Sequence, residues 1–187
     1  MRRAFNTVLT LLAGSIFLFS CKDCDDPQVT DVTKEDMAWL VYNTTTRATF
    51  VNEKQENVLY KFSGGAIQNV PGEGYSINDE CIDKLDAQAF AMLQDTTKKN
   101  LGLVTYILKR PTQLEVRVGV ENRGDWPINV GNPTFANHEV GGYLYNEVYE
   151  VLQDSTKPSD VKRVLYNPTH GILYVGFYNG KFLELTR

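Results

Sequence analysis

The sequence predicts an all-β domain, an antiparallel meander that forms a sandwich or a partly open barrel. Apolar and polar residues alternate along Leu114–Val120, which is the period of a strand with one buried face. The dipeptide Asn179-Gly180 separates two apolar runs, and it permits the positive φ values of a tight hairpin turn. The chain lacks a strand–helix alternation, so a parallel α/β sheet is not expected.

The domain is predicted to begin with a strand at Met37–Tyr42. A hairpin follows, because Arg47–Asn52 and Asn57–Phe62 are rich in β-branched and aromatic residues and are separated by a short polar stretch. Gly64-Gly65 is predicted to end this hairpin.

Residues 79–94 fit two structures. Ile82, Leu85 and Ala89 share one face of a helix, and alanine favours that state. The stretch also alternates with a period of two, which places on one strand face Leu85, Ala87, Ala89, Ala91 and Leu93. The surrounding hairpins favour a strand, and one short helix is the alternative.

The rest of the chain continues the meander. Leu101–Leu108 and Leu114–Val120 form a predicted hairpin, and 122–138 is the longest predicted loop because of its Gly, Asn and Pro turn signals. The C-terminal third is the densest in predicted strands: Gly142–Tyr145, Val148–Leu152, Val161–Tyr166, Ile172–Tyr178 and Lys181–Leu185.

The N-terminus is typical of a secretory signal. Arg2 and Arg3 precede the apolar run Val8–Phe19, as a basic start precedes a core of about 7–15 apolar residues in such signals. A membrane-spanning helix needs about 20 apolar residues, so this run is too short for one.

The signal ends in Leu18-Phe19-Ser20-Cys21, which resembles the lipobox of bacterial lipoproteins. The resemblance implies cleavage after Ser20, lipidation of Cys21 and attachment to a membrane through the lipid. Residues 1–20 are then the signal peptide. The lipidated cysteine and a flexible acidic tether occupy 21–35, and a single β-rich domain occupies 36–187.

Two further stretches resemble Bacteroidota lipoproteins. Lys22-Asp23-Cys24-Asp25-Asp26 resembles their surface-export signal, and Tyr145–Tyr149, Val164–Asn167 and Gly171–Tyr174 resemble the C-terminal part of uncharacterised members. The resemblance implies an outer-membrane lipoprotein at the cell surface, with a periplasm-facing orientation as the alternative. That family has no established activity to transfer.

Two cysteines remain besides Cys21. An extracytoplasmic compartment permits a disulfide between Cys24 and Cys81, although the expected tether and the long loop that such a bond would close argue against it. The chain contains no His-Glu-x-x-His motif and no cluster of cysteines and histidines, so neither a metal nor a cofactor is expected.

Charge and aromatic content indicate the class of partner. Removal of Arg2 and Arg3 with the signal lowers the formal net charge from −4 to −6, which argues against nucleic acid as a partner. Tyr174 and Tyr178 are predicted to share a strand face, from which they could bind a glycan or a protein.

The sequence gives little support for a catalytic role of any residue. His138 and His170 lie beside turn residues, and the acidic run Asp79, Glu80, Asp83 and Asp86 matches no calcium-binding loop. The sequence therefore favours a non-enzymatic binding or accessory module. The alternatives are a small hydrolase or glycan-processing enzyme that uses dispersed carboxylates, and an assembly subunit that exchanges a strand at a sheet edge.

The anchor can be tested by mass spectrometry. We expect the intact mass of the membrane-extracted protein to match an acylated chain that begins at Cys21. Protease treatment of whole cells should then remove the protein, because the domain is expected at the cell surface. A soluble chain without an acyl group would contradict the lipobox interpretation.

Overall fold

The all-β prediction is confirmed by the computed structural model, which describes residues 24–186. One short helix, α1 (Lys34–Met37), and twelve strands are present. The strands are β1 (Gln28–Val29), β2 (Arg47–Asn52), β3 (Asn57–Pro71), β4 (Lys84–Asp95), β5 (Leu103–Arg110), β6 (Gln113–Val120), β7 (Gly124–Ile128), β8 (Phe135–Val140), β9 (Tyr143–Leu152), β10 (Val161–Asn167), β11 (Gly171–Phe177) and β12 (Phe182–Thr186). No helix within residues 24–186 is long and apolar enough to cross a membrane.

The strands form one curled antiparallel sheet, a half-barrel. Their order is β7-β6-β5-β4-β3-β2-β12-β11-β10-β9-β8, and β1 adds to β4 in parallel. The sheet therefore consists of two meanders, β2–β7 and β8–β12. They are joined by the pairing of β12 with β2, in which Leu185 lies opposite Phe50 and Leu183 opposite Asn52.

The ambiguous stretch 79–94 contains a strand and no helix. β4 begins at Lys84, and its alternate residues Ala87, Ala89 and Ala91 are buried. The strand forms despite the helix propensity of alanine because β3 and β5 pair with it on both sides. Tertiary context overrides a propensity of this size.

Two predicted breaks in the sheet are wrong. β3 does not end at Gly64-Gly65 but continues to Pro71, and the two glycines pair with Met92 and Ala91 of β4. Ser63 is an extra residue at a β-bulge, and bulges of this kind often contain or adjoin glycine. The predicted loop 122–138 contains β7 and the beginning of β8.

The prediction of a flexible tether is also wrong for residues 24–35, the part of the tether that the structure describes. Gln28 and Val29 pair with Lys84 and Leu85 of β4. Thr33 then caps α1, since its side chain accepts a hydrogen bond from Asp36 N and its backbone N–H donates to the Asp36 carboxylate. Capping of this kind satisfies N–H groups that a helix terminus leaves unpaired.

Met37–Tyr42 is not a strand; it belongs to a segment that crosses the concave face of the sheet. We call Gln28–Asn43 the strap. Its α1 residue Asp36 forms an ion pair with Lys109 of β5 at 3.2 Å. Farther along, Tyr42 Oη accepts a hydrogen bond from Ile172 N of β11 at 2.6 Å.

Aromatic side chains complete the core beneath the strap. Trp39 packs against Tyr166 with ring centroids 6.3 Å apart and against Tyr149 at 5.6 Å. The Tyr166 hydroxyl donates a hydrogen bond to the Trp39 carbonyl. A buried tyrosine adds a large apolar surface only if its hydroxyl finds such a partner, so these bonds let the strap and the sheet share one core.

Tyr42→Phe tests the contribution of the strap to stability. The change removes the acceptor for the buried N–H of Ile172, and we expect the free energy of unfolding to fall by about 1–3 kcal/mol. Urea denaturation followed by tryptophan fluorescence measures this change. Tyr75→Phe is the matched control, because the Tyr75 hydroxyl bonds to Asp83 at an exposed site. Equal stability of the two variants would contradict the role given to the strap.

Candidate functional site

A cavity of about 350 Å³ lies at one end of the sheet. We call it the end cleft. Five connections and the ends of the adjoining strands surround it, and they come from distant parts of the chain. The main lining residues are Asn52, Glu53, Lys54, Glu56, Lys99, Asn100, Leu101, Arg123, Asn179 and Lys181.

Asn52 organises the β2–β3 turn at the cleft. Its Oδ1 accepts hydrogen bonds from the backbone N–H groups of Lys54 and Glu56 at 3.0 and 2.9 Å, and its Nδ2 donates to the Glu56 carboxylate at 2.9 Å. Gln55 takes a left-handed conformation with φ of 62°. Asparagine side chains stabilise turns by bonding to the backbone two residues farther on, so the positions of Lys54 and Glu56 are defined by the turn itself.

Asp95 organises the loop between β4 and β5. Its buried carboxylate accepts hydrogen bonds from Thr97, from the backbone N–H of Lys99 and from Asn100 at 2.8–3.1 Å. Burial raises the pKa of Asp95, but the hydrogen bonds from Thr97 and Asn100 outweigh burial and hold the pKa below its usual value. The charged carboxylate thus fixes the loop that carries Lys99.

The β11–β12 turn forms a third wall. Asn179 Oδ1 accepts from Lys181 N at 3.0 Å, and Gly180 has φ of 81°. A turn is therefore present at the predicted Asn-Gly position, with a positive φ at Gly180 but not at Asn179. Asn179 N also donates to Pro158 O at 2.9 Å, so the turn is fastened to the loop that follows β9.

The charge of the end cleft differs in sign from that of the chain. Lys54, Lys99, Arg123 and Lys181 are exposed, and no ion pair involving them is found among residues 24–186. Glu53 and Glu56 are the acidic residues of the lining. The cleft therefore carries an excess of positive charge on a chain whose formal net charge is −4.

The floor of the cleft is apolar. It is formed by Leu101, Leu103, Val120, Phe177, Phe182 and Leu183. The Tyr60 hydroxyl donates to Leu101 O at 2.8 Å, and Glu121 accepts from Gly102 N at 2.8 Å. These two bonds hold the start of β5 in place, so the floor is rigidly built. An apolar floor with convergent polar groups is the usual composition of a small-molecule site.

The two tyrosines proposed from the sequence as ligand-facing lie near this cleft but do not line it. Tyr174 is half-buried and stacks on the cleft residue Phe182, with ring centroids 5.9 Å apart. The Tyr178 hydroxyl donates to Gln153 O and accepts from Ser155 N at 3.2 Å. Tyr174 thus supports a wall of the cleft, and Tyr178 fastens the 153–160 loop.

The cysteines lie at the other end of the sheet. Cys24 and Cys81 form a disulfide with a Cα–Cα distance of 5.5 Å. The bond is possible because β1 pairs with β4 and so brings Cys24 to the 72–83 loop. Cys21, the predicted lipidation site, lies outside the described residues.

The other candidate residues have structural partners. Tyr75 donates to Asp83, Asp79 accepts from Ser76 N, and Asp86 lies 3.6 Å from Arg110 Nε. His138 stacks on Phe135 with ring centroids 4.4 Å apart, and His170 packs edge-on against Tyr145 at 5.3 Å. Within residues 24–186, no three His, Cys, Asp or Glu side chains lie close enough together to hold a metal ion.

Similarity to known proteins gives no guide to the ligand. Comparisons of the chain with protein-family models, with curated proteins and with solved structures return no match. The end cleft is therefore assigned from its own cations, its apolar floor and the turns that position them.

Asp95→Asn tests the loop that carries Lys99. A folded-state pKa below the unfolded value stabilises the protein above that unfolded value, and the stabilisation is lost as the pH falls. We expect Asp95→Asn to lower the free energy of unfolding by about 1–3 kcal/mol at neutral pH, with a smaller difference below about pH 4. Urea denaturation across this range measures the effect. Asp31→Asn, at an exposed position, is the control, and a loss independent of pH would contradict the role of the charge.

Proposed function

We propose that this chain is a lipid-anchored extracytoplasmic binding module that captures an acidic glycan in the end cleft. It is attached to the outer membrane, with the domain at the cell surface, and it is not an enzyme. The observation that carries the proposal is the position of a cationic cleft at the end of the sheet opposite the cysteines.

The length of β3 separates the cleft from the anchor. β3 begins next to the Asn52–Glu56 turn and ends next to the loop that contains Cys81. Its 15 residues extend over about 45 Å at a rise of about 3.3 Å per residue. The Cα atom of a lipidated Cys21 would lie within about 11 Å of that of Cys24, because only three residue steps separate them. The anchor therefore leaves the cleft unobstructed.

The lining of the cleft favours an acidic sugar over a polyanion. Lys99, Arg123 and Lys181 attract a carboxylate, whereas Glu53 and Glu56 repel a ligand with many negative charges. The apolar floor suits the C–H face of a sugar ring, and the asparagines at the rim suit its hydroxyl groups. A volume of about 350 Å³ suits one or two rings, since ligand sites typically measure about 300–1,000 Å³.

The environments of the carboxylates support binding over hydrolysis. A general acid needs a raised pKa. The hydrogen bond from Arg117 holds the pKa of Glu115 below its usual value, and this outweighs burial. In Asp36, burial raises the pKa, but the bonds from Thr33 and Lys109 outweigh it. In the cleft itself, Glu56 is exposed and bonded to Asn52.

Calorimetry with defined oligosaccharides tests the proposal. We expect the mature chain to bind a disaccharide of galacturonate and to bind the neutral disaccharide maltose at least about tenfold more weakly, because only the former carries carboxylates. Lys99→Glu combined with Lys181→Glu should abolish binding of the uronate. Lys34→Glu, exposed on α1 and absent from the lining of the cleft, is the control for a change of surface charge.

Two results would contradict the proposed ligand. One is the absence of binding to either sugar. The other is equal binding by the double variant and the Lys34→Glu control, since the cleft cations would then have no part in it. The mass measurement on Cys21 tests the anchor separately.

A further inference from the structure

The C-terminal half of β3 is an open edge of the sheet. β2 pairs with β3 only between Asn57 and Lys61, whereas β4 pairs with β3 as far as Pro71. Beyond the bulge at Ser63, no strand within residues 24–186 pairs with the other side of β3. We call residues 64–70 the open edge. Such an edge offers backbone donors and acceptors to another strand.

The backbone groups that face outwards can be identified from the register. Gly72 N donates to Lys84 O at 2.8 Å, and residues of an antiparallel strand direct their backbone groups alternately to either side. The even-numbered residues of the open edge therefore bond to β4. Gly65, Ile67 and Asn69 direct their N–H and C=O groups away from it. Pro71, which follows, has no N–H and so marks the end of the edge.

The open edge lacks the charged residues that commonly protect an edge. Natural edges carry charges, prolines or short strands that prevent pairing, but residues 64–70 (Gly-Gly-Ala-Ile-Gln-Asn-Val) contain no charge. Ile67 is 58% exposed. An apolar groove of about 560 Å³ lies beside the edge, between Ile67 and Phe62 on the sheet and Leu40 on the strap.

Opposite charges lie at the two ends of the open edge. Arg47 and Lys61 are exposed where β2 stops pairing with β3. At the other end, the 73–83 loop contains four acids and no base: Glu73, Asp79, Glu80 and Asp83. An antiparallel copy of the same strand would bring each basic end against an acidic loop, which is the arrangement that electrostatic complementarity requires.

We propose that the open edge is a homodimer interface, in which β3 of a second copy pairs antiparallel with β3 about a two-fold axis at Ile67. In this register, Ile67 lies opposite its own copy, and Gly65 lies opposite Asn69 in both directions. Three pairs of outward-facing residues then exchange two hydrogen bonds each. Directly opposite residues share a sheet face, so both Ile67 side chains turn toward the groove beside Leu40.

The proposed dimer leaves the end cleft open. The 73–83 loop of the second copy lies against Arg47 at the start of β2, whereas the cleft lies beyond Asn52 at its other end. The two Cys24 residues lie at opposite ends of the paired strands. A two-fold axis along the membrane normal would let both proposed anchors enter one membrane.

Analytical ultracentrifugation tests the interface on the mature chain, with Cys21→Ser to prevent lipidation. We expect a dimer whose dissociation constant rises with salt, because the charged ends are exposed to screening. Ile67→Lys places two like charges opposite each other across the axis, and it should weaken the dimer by about tenfold or more. Leu59→Lys is the control, since Leu59 is 44% exposed on the part of β3 that β2 already covers.

Cross-linking gives a second readout that does not depend on stability. Ile67→Cys should yield an interchain disulfide on mild oxidation, because the two Cα atoms would lie about 5.5 Å apart. Leu59→Cys should yield none. A chain that is monomeric at all concentrations without cross-linking at Ile67, or a dimer that Ile67→Lys leaves unchanged, overturns the proposal.

Discussion

The strap packs against the core on the concave face of the curled sheet and contacts both meanders. Within residues 24–186 no long helix covers this face, so the strap and the curl of the sheet itself exclude water from the inner side chains. Three side chains of the strap make its main contacts with the sheet. Trp39 fills the space above Tyr166, while Tyr42 and Asp36 bond to β11 and β5. Because these polar contacts satisfy buried groups, they fix the strap at one position on the sheet, which apolar packing alone would not do.

The sequence predicts the sheet well where a local signal is sufficient. Leu114–Val120 alternates strictly between apolar and polar residues, which predicts a strand. The dipeptide Asn179-Gly180 between two apolar runs predicts a hairpin turn. The strap was not predictable, because Lys34–Tyr42 has neither a period of two nor a complete helical repeat and is held by contacts with strands more than 60 residues away. The prediction that the hairpin ends at Gly64-Gly65 was wrong for a related reason. Glycine is common in both turns and bulges, and only the pairing with β4 distinguishes the two.

The end cleft was even less accessible to sequence reasoning. Its cations are single residues on separate connections, and nothing in the local sequence of Lys54 or Arg123 indicates that they meet Lys99. Some local order was visible: Asn52 and Asn179 are turn residues, and Asp95 precedes a polar loop. The disulfide between Cys24 and Cys81 likewise depends on a distant pairing, because β1 brings Cys24 close to Cys81 by pairing with β4. The end cleft and the disulfide therefore both depend on strand pairing between distant parts of the chain.

The position of β12 between β2 and β11 has a consequence for the timing of folding. Within the described chain, β12 is synthesised after every strand that it joins, so the two meanders stay separate sheets until residues 182–186 emerge. Until then β2 and β11 each lack a neighbour, and the aromatic core that spans both meanders cannot close. Such an order of synthesis delays compaction, which would suit the export across a membrane that we propose for this chain.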